Sequence, residues 1–594
     1  MLPRAEPLVL ALVVGVALLH LATAGIPDVF DELPGQYATT AWEMVESGNW
    51  LVPTLEGVPR LQKPPLVYWL TAFSLRLLGH GEFAARLPTA LALAGLMAVT
   101  WALASRLHGS RRAAISAVVL GTSFGTVGLG KLIMPEPFLA LGIASTLYCV
   151  VRAVEKSAHA GRWACAAWVA AALACLSKGL HGLLLPAGIV LATAAIRPAL
   201  WRSLRPLARP AGVGLFLALL LPWPLYIETQ FPGYLRDNLV NEQVGHVLDT
   251  HFPRDSAPTP LAMLWLQHLA WWFPWALFAA PALLMRSRRV SHPAAALPVL
   301  WLLAIAAGVS LAGQRQDYYT MSAWPAFALL LGRAWDDEAE GRASAWALGL
   351  ALAALAALGL AAAGLGLAVG AGGSSAGAAS APFEARNSIR GAVSGIASAQ
   401  WAPLAPLLLP VGGGLFLGGA AGLALAARRR TRHWSWLPVA LGTLPLLLAA
   451  MVGMQAVAPY FGLKSIGAAL EAQGAATGLV VFDGPSHRAS SLSFYTEAPL
   501  RWVHRAETEF ATRSRGVGAE RFVEEEEIVR RWRAGAPVWL VTEESHLPHW
   551  RGRLDGLPGE VVGRSGTRVL LTNRLAQDAA GEPGLSPRAD DPGR

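Results

Sequence analysis

"MLPRAEPLVLALVVGVALLHLATAG" (residues 1–25) leads, three residues later, into "VFDELPGQYATT" (29–40). An uncharged apolar run of spanning length that ends on two adjacent acids, Asp31 and Glu32, has the form of a helix leaving a bilayer. The first run also has the basic start, apolar centre and small terminal residues of a cleaved signal peptide, and cleavage would leave Asp31 on the same side.

The alternation repeats. Apolar residues make up 54% of the chain and charged ones only 15%, which excludes a soluble globule. Spanning runs fall near 8–25, 84–104, 113–130, 137–152, 163–177, 180–196, 211–228, 261–284, 294–313, 318–334, 343–370, 402–427 and 435–455, about thirteen in all. Basic clusters at Arg106/Arg111/Arg112, Arg152/Lys156/Arg162, Arg197/Arg202/Arg205/Arg209, Arg286/Arg288/Arg289 and Arg428/Arg429/Arg430/Arg432 all fall on one side of this alternation, which marks that side as cytoplasmic. The loop "GRAWDDEAEGR" (332–342) falls there too, although its acids outnumber its arginines. The opposite side carries the "FDELPG" loop, the loop 229–260, a Gly/Ala/Ser-rich loop at 371–400 and everything after about residue 456. Topology therefore accounts for the formal charge of +9, and no nucleic-acid partner is expected.

Beyond residue 456 the composition changes. "GLVVFDG", "PVWLVTEES" and "TRVLLTNR" read as short strands, and "FGLKSIGAALEAQG" and "AERFVEEEEIVRRWRAG" as helices. The expected fold class is a polytopic α-helical membrane protein with a small α/β domain on the outer, periplasmic face. Its domains are a transmembrane module 1–455 with outer-face loops 26–83 and 229–260, an α/β domain 456–575, and a polar Pro/Gly-rich tail 576–594 expected to be disordered. Cys149, Cys165 and Cys175 lie in or beside apolar runs without metal-ligand spacing and read as packing residues. "AVGAGGSSAGAASA" has no preceding strand and no following lysine, so it reads as a loop and not a phosphate cradle.

Ionisable groups at the outer boundary are the informative ones, because orientation does not require them. Asp31 and Glu32 are compatible with a carboxylate of tuned pKa or with acids in the first turn of an interfacial helix. Lys63, ahead of two prolines in "GVPRLQKPPLVYW", suits a phosphate at headgroup level or a lysine snorkelling above an aromatic belt. Glu136, in "KLIMPEPF", faces either the same cavity or water. Lys178, in "CLSKGLHGLLLP", either enters the protein or terminates its helix. Glu242 and His246 would share a helical face in the 229–260 loop, a weak pattern for a metal. Lys131, Arg236, Arg254, Arg315, Asp317 and the pair Tyr318/Tyr319 complete the set. A few carboxylates and isolated cations around an outward cavity suit a reaction in which a lipid phosphate leaves and a carboxylate takes a proton from an attacking hydroxyl.

The stretch from 31 to 91, with its Asp-Glu pair, "MVESGNWLVP", "GVPRLQKPPLVYW" and "EFAARLP", resembles the first outer loop of the GT-C glycosyltransferases that include lipid A aminoarabinose transferases and protein O-mannosyltransferases. "CLSKGLHGLLLP", "NEQVGHVL" and "SLAGQRQDYYTMSAWPAFALL" are similar to further segments of that family. The resemblance implies an inverting transferase that moves a sugar from an undecaprenyl-type polyprenyl-monophosphate donor to a glycolipid such as lipid A, another envelope acceptor or a protein. It places the enzyme as a multi-pass monomer in the bacterial inner membrane. In that reading Asp31, Glu32 and Glu136 are the catalytic acids. Lys63, Lys178, Arg315 and Tyr318 meet the donor phosphate, and Tyr37, Glu242 and His246 lie on the acceptor side. No cofactor is expected, and no ligand set calls for a divalent ion. The chain departs from the family in having Gln36 where an arginine commonly precedes Tyr37, Leu180 after Lys178-Gly179 where a proline is usual, and "QRQD" where a lysine is expected, with Arg315 as its substitute. The competing readings are a transporter or flippase of a lipid-linked substrate and a structural partner in an envelope complex.

Overall fold

The computed structural model describes residues 6–155, 158–252, 258–284, 292, 294–335, 342–371, 402–484, 486–503 and 521–574. The loop 372–400, the cluster Arg286/Arg288/Arg289, Lys156, Arg254, the acids of 336–340 and the tail 576–594 lie outside the described residues. The chain divides into two units. The first comprises 1–28, 40–55 and 59–456, and the second 29–39, 56–58 and 457–594.

The first unit is helical. Among the described residues seven helices are long and apolar enough to cross a membrane, among them Glu82–His108, Glu136–Val154, Ala160–Lys178 and Pro210–Gln230, and five shorter apolar helices accompany them. This is a multi-pass membrane protein. Several expected spans are interrupted: 113–130 is split at Ser123 into Ser110–Thr122 and Phe124–Leu129, and 318–334 begins as a 3-10 turn, Asp317–Ala323. Leu66–Leu78 is an apolar helix that the reading of spans passed over, because its prolines and aromatic residues suggest only an approach to the membrane.

Glu136–Val154 and Ala160–Lys178 form the antiparallel pair that matters most here. Small residues line their seam. A Cβ added at Gly142 would stand 2.6 Å from the Ala174 Cβ, so the two backbones meet at a distance that only glycine permits. The pair has chemically distinct ends. At one end the Arg152 guanidinium lies 4.3 Å from the Trp163 ring centroid, and Glu155 meets Arg152 at 3.1 Å and Arg106 at 3.6 Å. At the other end stand Glu136, the first residue of its helix, and Lys178, the last residue of its own. Two buried indoles elsewhere in the unit find hydrogen-bond acceptors: Trp275 Nε1 donates to Thr122 Oγ1 (2.9 Å) and Trp335 Nε1 to Ser435 Oγ (3.0 Å).

The second unit is built on a six-stranded sheet: β1 Leu479–Phe482, β2 Leu500–Val503, β3 Phe522–Val523, β4 Val538–Glu543, β5 Glu560–Ser565 and β6 Arg568–Thr572, in the order β3-β2-β1-β4-β6-β5. The first four run parallel, with Val480 opposite Leu500 and Trp539, and β6 is antiparallel to β4 and β5. Both faces are covered, which is why "PVWLV" reads as a continuous apolar run. Val480, Phe482, Trp539 and Val541 pack with Leu463 and with Ile466 and Leu470 of the helix that follows it, Lys464–Ala472. The alternate residues Val481, Val538 and Leu540 pack with Ile528 and Trp532 of Glu525–Arg533 and with Trp550.

Residues 29–39 belong to this second unit. Asp31 N donates to Phe461 O (2.6 Å), Val29 N to Tyr495 Oη (2.6 Å), and Thr39 Oγ1 to Ser490 O (2.8 Å).

A Gly142→Val chain should lose about 1–3 kcal/mol of stability through overpacking of the 136–154/160–178 seam. Thermal unfolding in detergent measures it, and Ala174→Gly in the same chain should restore part of the loss.

Candidate active site

At the end of the seam opposite Arg152 the first unit gathers charges of both signs. Lys178 Nζ is paired with the Glu136 carboxylate, and both side chains are largely buried. The Tyr319 ring centroid lies 4.0 Å from the same ammonium and the Tyr318 centroid 5.8 Å, with the two rings edge to face. Aromatic faces and a carboxylate together replace the water that this ammonium has lost. Lys63 Nζ meets Glu242 Oε2 at 2.9 Å, and Lys63 is near enough to Lys178 for the two ammonium charges to act on each other. His181 senses Lys178, Lys63 and His246. Two ammonium groups and two carboxylates therefore share one end of the helical unit.

Local structure explains each placement. Pro135 and Pro137 bracket Glu136 where its helix starts, the position that tolerates a proline without N–H. Gly179, at φ +86°, turns the chain immediately after Lys178. Lys63 follows a segment held by two indoles: Trp69 Nε1 donates to Trp50 O (2.6 Å) and Trp223 Nε1 to Leu51 O (2.8 Å). Glu242 lies in Asn238–Gly245, which is wound as a π-helix. Burial pushes the Glu242 pKa up, but Lys63, aided by His246 and His251, more than offsets that and holds the carboxylate below its ordinary 4.5. The His246 and His251 rings face each other at 3.9 Å between centroids.

Other ionisable residues of the expected boundary have partners of their own. Arg315 donates to Ala312 O (3.0 Å) and Thr259 O (3.3 Å), which holds its own loop together. Lys131 donates to His20 O (3.3 Å), Thr23 O (2.8 Å) and Thr23 Oγ1 (2.6 Å), and Arg86 to Ala24 O (3.3 Å) and Asp28 O (2.7 Å). Both cations satisfy carbonyls at and after the end of the first helix, Glu6–Ala22. Asp317 accepts from Trp271 Nε1 (2.9 Å) and Tyr318 N (2.9 Å), which anchors the 3-10 turn.

Asp31, Glu32 and Tyr37 are residues of the second unit. Asp31 Oδ1 accepts from Ser491 N (3.0 Å) and Ser491 Oγ (2.6 Å), and its Oδ2 is paired with Arg568, whose Nε lies 3.4 Å from Glu543 Oε1. All three charged groups are buried. Glu32, at φ +61°, is exposed, and its carbonyl accepts from Ser490 Oγ (3.1 Å). Tyr37 is fully buried.

Sequence reading missed the partners. Gln243 lies inside the quoted "NEQVGHVL", yet no periodicity connects it to Leu180, whose N donates to Gln243 Oε1 at 3.2 Å. Arg568 is 537 positions from Asp31 and carried no signal of its own beyond a charge at the start of an apolar strand. Among the described residues no group of three or more His, Cys, Asp or Glu could hold a metal ion.

The chain thus comprises a helical multi-span unit with charges of both signs gathered at one end, and an α/β unit. Residues 62–226 match the family model described as dolichyl-phosphate-mannose-protein mannosyltransferase. The chain is 30% identical over 318 residues to the undecaprenyl phosphate-alpha-4-amino-4-deoxy-L-arabinose arabinosyl transferase of Pseudomonas savastanoi pv. phaseolicola, a match covering 50% of this chain and 56% of that protein. It is 28% identical over 336 residues to arabinosyl transferase 1 of the same description from Pseudomonas fluorescens, covering 53% and 56%. The chain thus spans little more than half the length of these curated relatives. In fold, 96% of it superposes on 98% of the crystal structure of ArnT from Cupriavidus metallidurans bound to undecaprenyl phosphate, with TM-score 0.76 and 23% identity. In fold, therefore, the chain is like ArnT, and in sequence about half of it is similar to the aminoarabinose transferases.

Two outcomes follow from the ion pairs. Because the Glu242 pKa is depressed on folding, its contribution to stability is complete above the unfolded value and is lost as pH falls through the folded one. In Glu242→Gln, the unfolding temperature should therefore be lower at neutral pH, and its further decline between about pH 5 and 3 should be smaller than in the parent chain. Asp31→Asn should leave Arg568 buried with Glu543 alone and cost roughly 3–5 kcal/mol. Hydrogen exchange at Ser491 and along β6 reads this directly, and unchanged protection there would contradict it.

Proposed function

We propose that the chain is an inverting glycosyltransferase that moves a sugar from a polyprenyl-monophosphate donor to a lipid A-like glycolipid or another envelope acceptor, at the periplasmic face of the bacterial inner membrane. The observation that carries the reading is the pairing of Lys63 with Glu242 and of Lys178 with Glu136 at one end of the helical unit. The relatives' descriptions, which name undecaprenyl phosphate-linked aminoarabinose, supply the substrate class.

The chemistry balances within this set. The donor arrives as a phosphodiester with one negative charge. An acceptor hydroxyl attacks the anomeric carbon from the face opposite the phosphate, the bond from that carbon to the phosphate oxygen breaks, and the electron pair leaves with the phosphate. The departing lipid phosphate carries one charge more than it brought, and the ammonium groups of Lys63 and Lys178 neutralise it. The hydroxyl proton passes to a carboxylate, for which Glu136 is the nearest candidate to Lys178. Before the donor binds, each lysine is balanced by its glutamate. When the phosphate takes over that role it releases a carboxylate beside the reacting atoms. Asp31, whose two oxygens are held by Ser491 and Arg568, is assigned to ordering the first outer loop, with Glu32 and Tyr37 in the same segment. Tyr318 and Tyr319 keep the Lys178 ammonium dry.

A transporter would be expected to carry its ionisable groups near the middle of the spans. Glu136 and Lys178 instead occupy terminal positions of their helices, which favours the enzyme.

The test is turnover of polyprenyl-phosphate-linked sugars by the purified chain. Lys63→Ala should lower kcat/KM by about a hundredfold, the equivalent of one charged hydrogen bond to the leaving group. Glu136→Gln should lower kcat with little change in donor KM. If every donor is inert, or if both variants keep full turnover, the assignment is overturned.

A further inference from the structure

Three consecutive side chains of the π-helical segment Asn238–Gly245 reach three different partners. Asn241 clips the loop that follows: its Nδ2 donates to Phe252 O (2.6 Å) and its Oδ1 accepts from Phe252 N (2.7 Å). Glu242 pairs with Lys63. Gln243 crosses to the other lysine's turn, where its Oε1 accepts from Leu180 N at 3.2 Å. The fit there is close. A Cβ at Gly179 would stand 2.4 Å from Gln243 Nε2 and 2.8 Å from its Oε1, so the amide lies flat on the glycine that follows Lys178. The clip is itself anchored, because Gly313 N donates to Val247 O (2.7 Å), Gln314 N to His246 O (3.1 Å) and Gln314 Nε2 to Asp249 Oδ1 (2.6 Å). The loop that leads into Tyr318 and Tyr319 is thus tied to the same segment.

We propose that Gln243 is a positioning residue: by holding the Gly179–Leu180 turn against the segment that carries Glu242, it sets the separation of the Lys63 and Lys178 ammonium groups to suit a single lipid monophosphate. This rests on the reading of the two lysines as the donor-phosphate site and goes beyond it by naming what spaces them. The bridge is made within one short π-wound segment. Glu242, which holds Lys63, and Gln243, which holds the Lys178 turn, are adjacent residues of it, so the supports of the two lysines are covalently linked. A site held at one spacing discriminates between phosphate groups of different length, whereas a loose pair of lysines would bind a diphosphate at least as well as a monophosphate because of its greater charge.

The experiment uses the purified full chain and two probes, undecaprenyl phosphate and undecaprenyl diphosphate, each assayed for direct binding and as a competitor of donor turnover. The parent chain should prefer the monophosphate. Gln243→Met, close in shape but without the acceptor for Leu180 N, should weaken monophosphate binding roughly five- to tenfold, as expected for one hydrogen bond. It should raise donor KM more than it lowers kcat and bring the preference for monophosphate towards unity. Gly179→Ala acts on the other half of the same contact and should produce the same change, and the double variant should be no worse than the poorer single one. Gln243→Asn, whose amide is too short to reach Leu180, should behave like Gln243→Met and serves if the methionine is not tolerated. Wild-type preference in Gln243→Met and Gln243→Asn, or additive losses in the double variant, would overturn the proposal. Lys63→Ala separates the two levels of argument. If it leaves both probes bound as before, the phosphate-site reading itself fails. If it abolishes binding while the Gln243 variants stay unaffected, only the positioning role fails.

Discussion

An ammonium group at the edge of a hydrocarbon layer must keep its charge compensated or lose it. The pairing of Lys178 with Glu136 meets that requirement, and much of the first unit is arranged around it. The helices that end in these two residues run antiparallel on a seam close enough to demand Gly142, so their terminal side chains meet without reaching. Two tyrosine rings cover the ammonium, and a left-handed glycine lets the chain turn away directly behind it. The same logic applies to Lys63, which is matched by Glu242 from a segment distant in sequence. A neutral cluster of two cations and two anions is stable when empty.

The second unit solves a comparable problem in a different solvent. Its sheet is covered on both faces, so a charged group inside it needs complete satisfaction. Asp31 obtains this from Ser491 and Arg568, and Arg568 from Asp31 and Glu543. A short piece of the first outer loop is thereby part of the α/β unit, joined through contacts more than four hundred residues apart in sequence. Removing Arg568 would strand Asp31 and removing Asp31 would leave Arg568 with Glu543 alone, whereas removing a surface pair such as Arg564–Glu544 would alter little.

The lysines and glutamates of the site were legible one at a time. Each is an ionisable residue at a boundary where orientation has no need of it, and each falls in a segment with prolines or glycines, which fix or free the backbone at that point. Their pairing was not legible, since no local rule connects position 63 with 242 or 136 with 178. The backbone partners of Arg315 were equally out of reach: its guanidinium donates to the carbonyls of Ala312 and Thr259, which the spacing of the sequence does not connect. The helices followed a similar division. Long spans such as Glu136–Val154 were plain from composition, while the break at Ser123 and the π winding of 238–245 depend on what packs around them and leave no mark in the hydropathy.

By itself, the sequence determined that this chain crosses a membrane many times, that an α/β unit follows the spans, and which residues could carry chemistry. These are properties of composition and spacing, set by the cost of placing charge and unpaired backbone in hydrocarbon. Only the tertiary structure decided which acid neutralises which lysine, that Asp31 is held by Arg568 in the second unit, and that Gln243 lies on Gly179. Those outcomes depend on close contacts between segments far apart in the chain. At that range the energy of a charge or a hydrogen bond is set by the distance and burial of its partner and not by its place in the sequence.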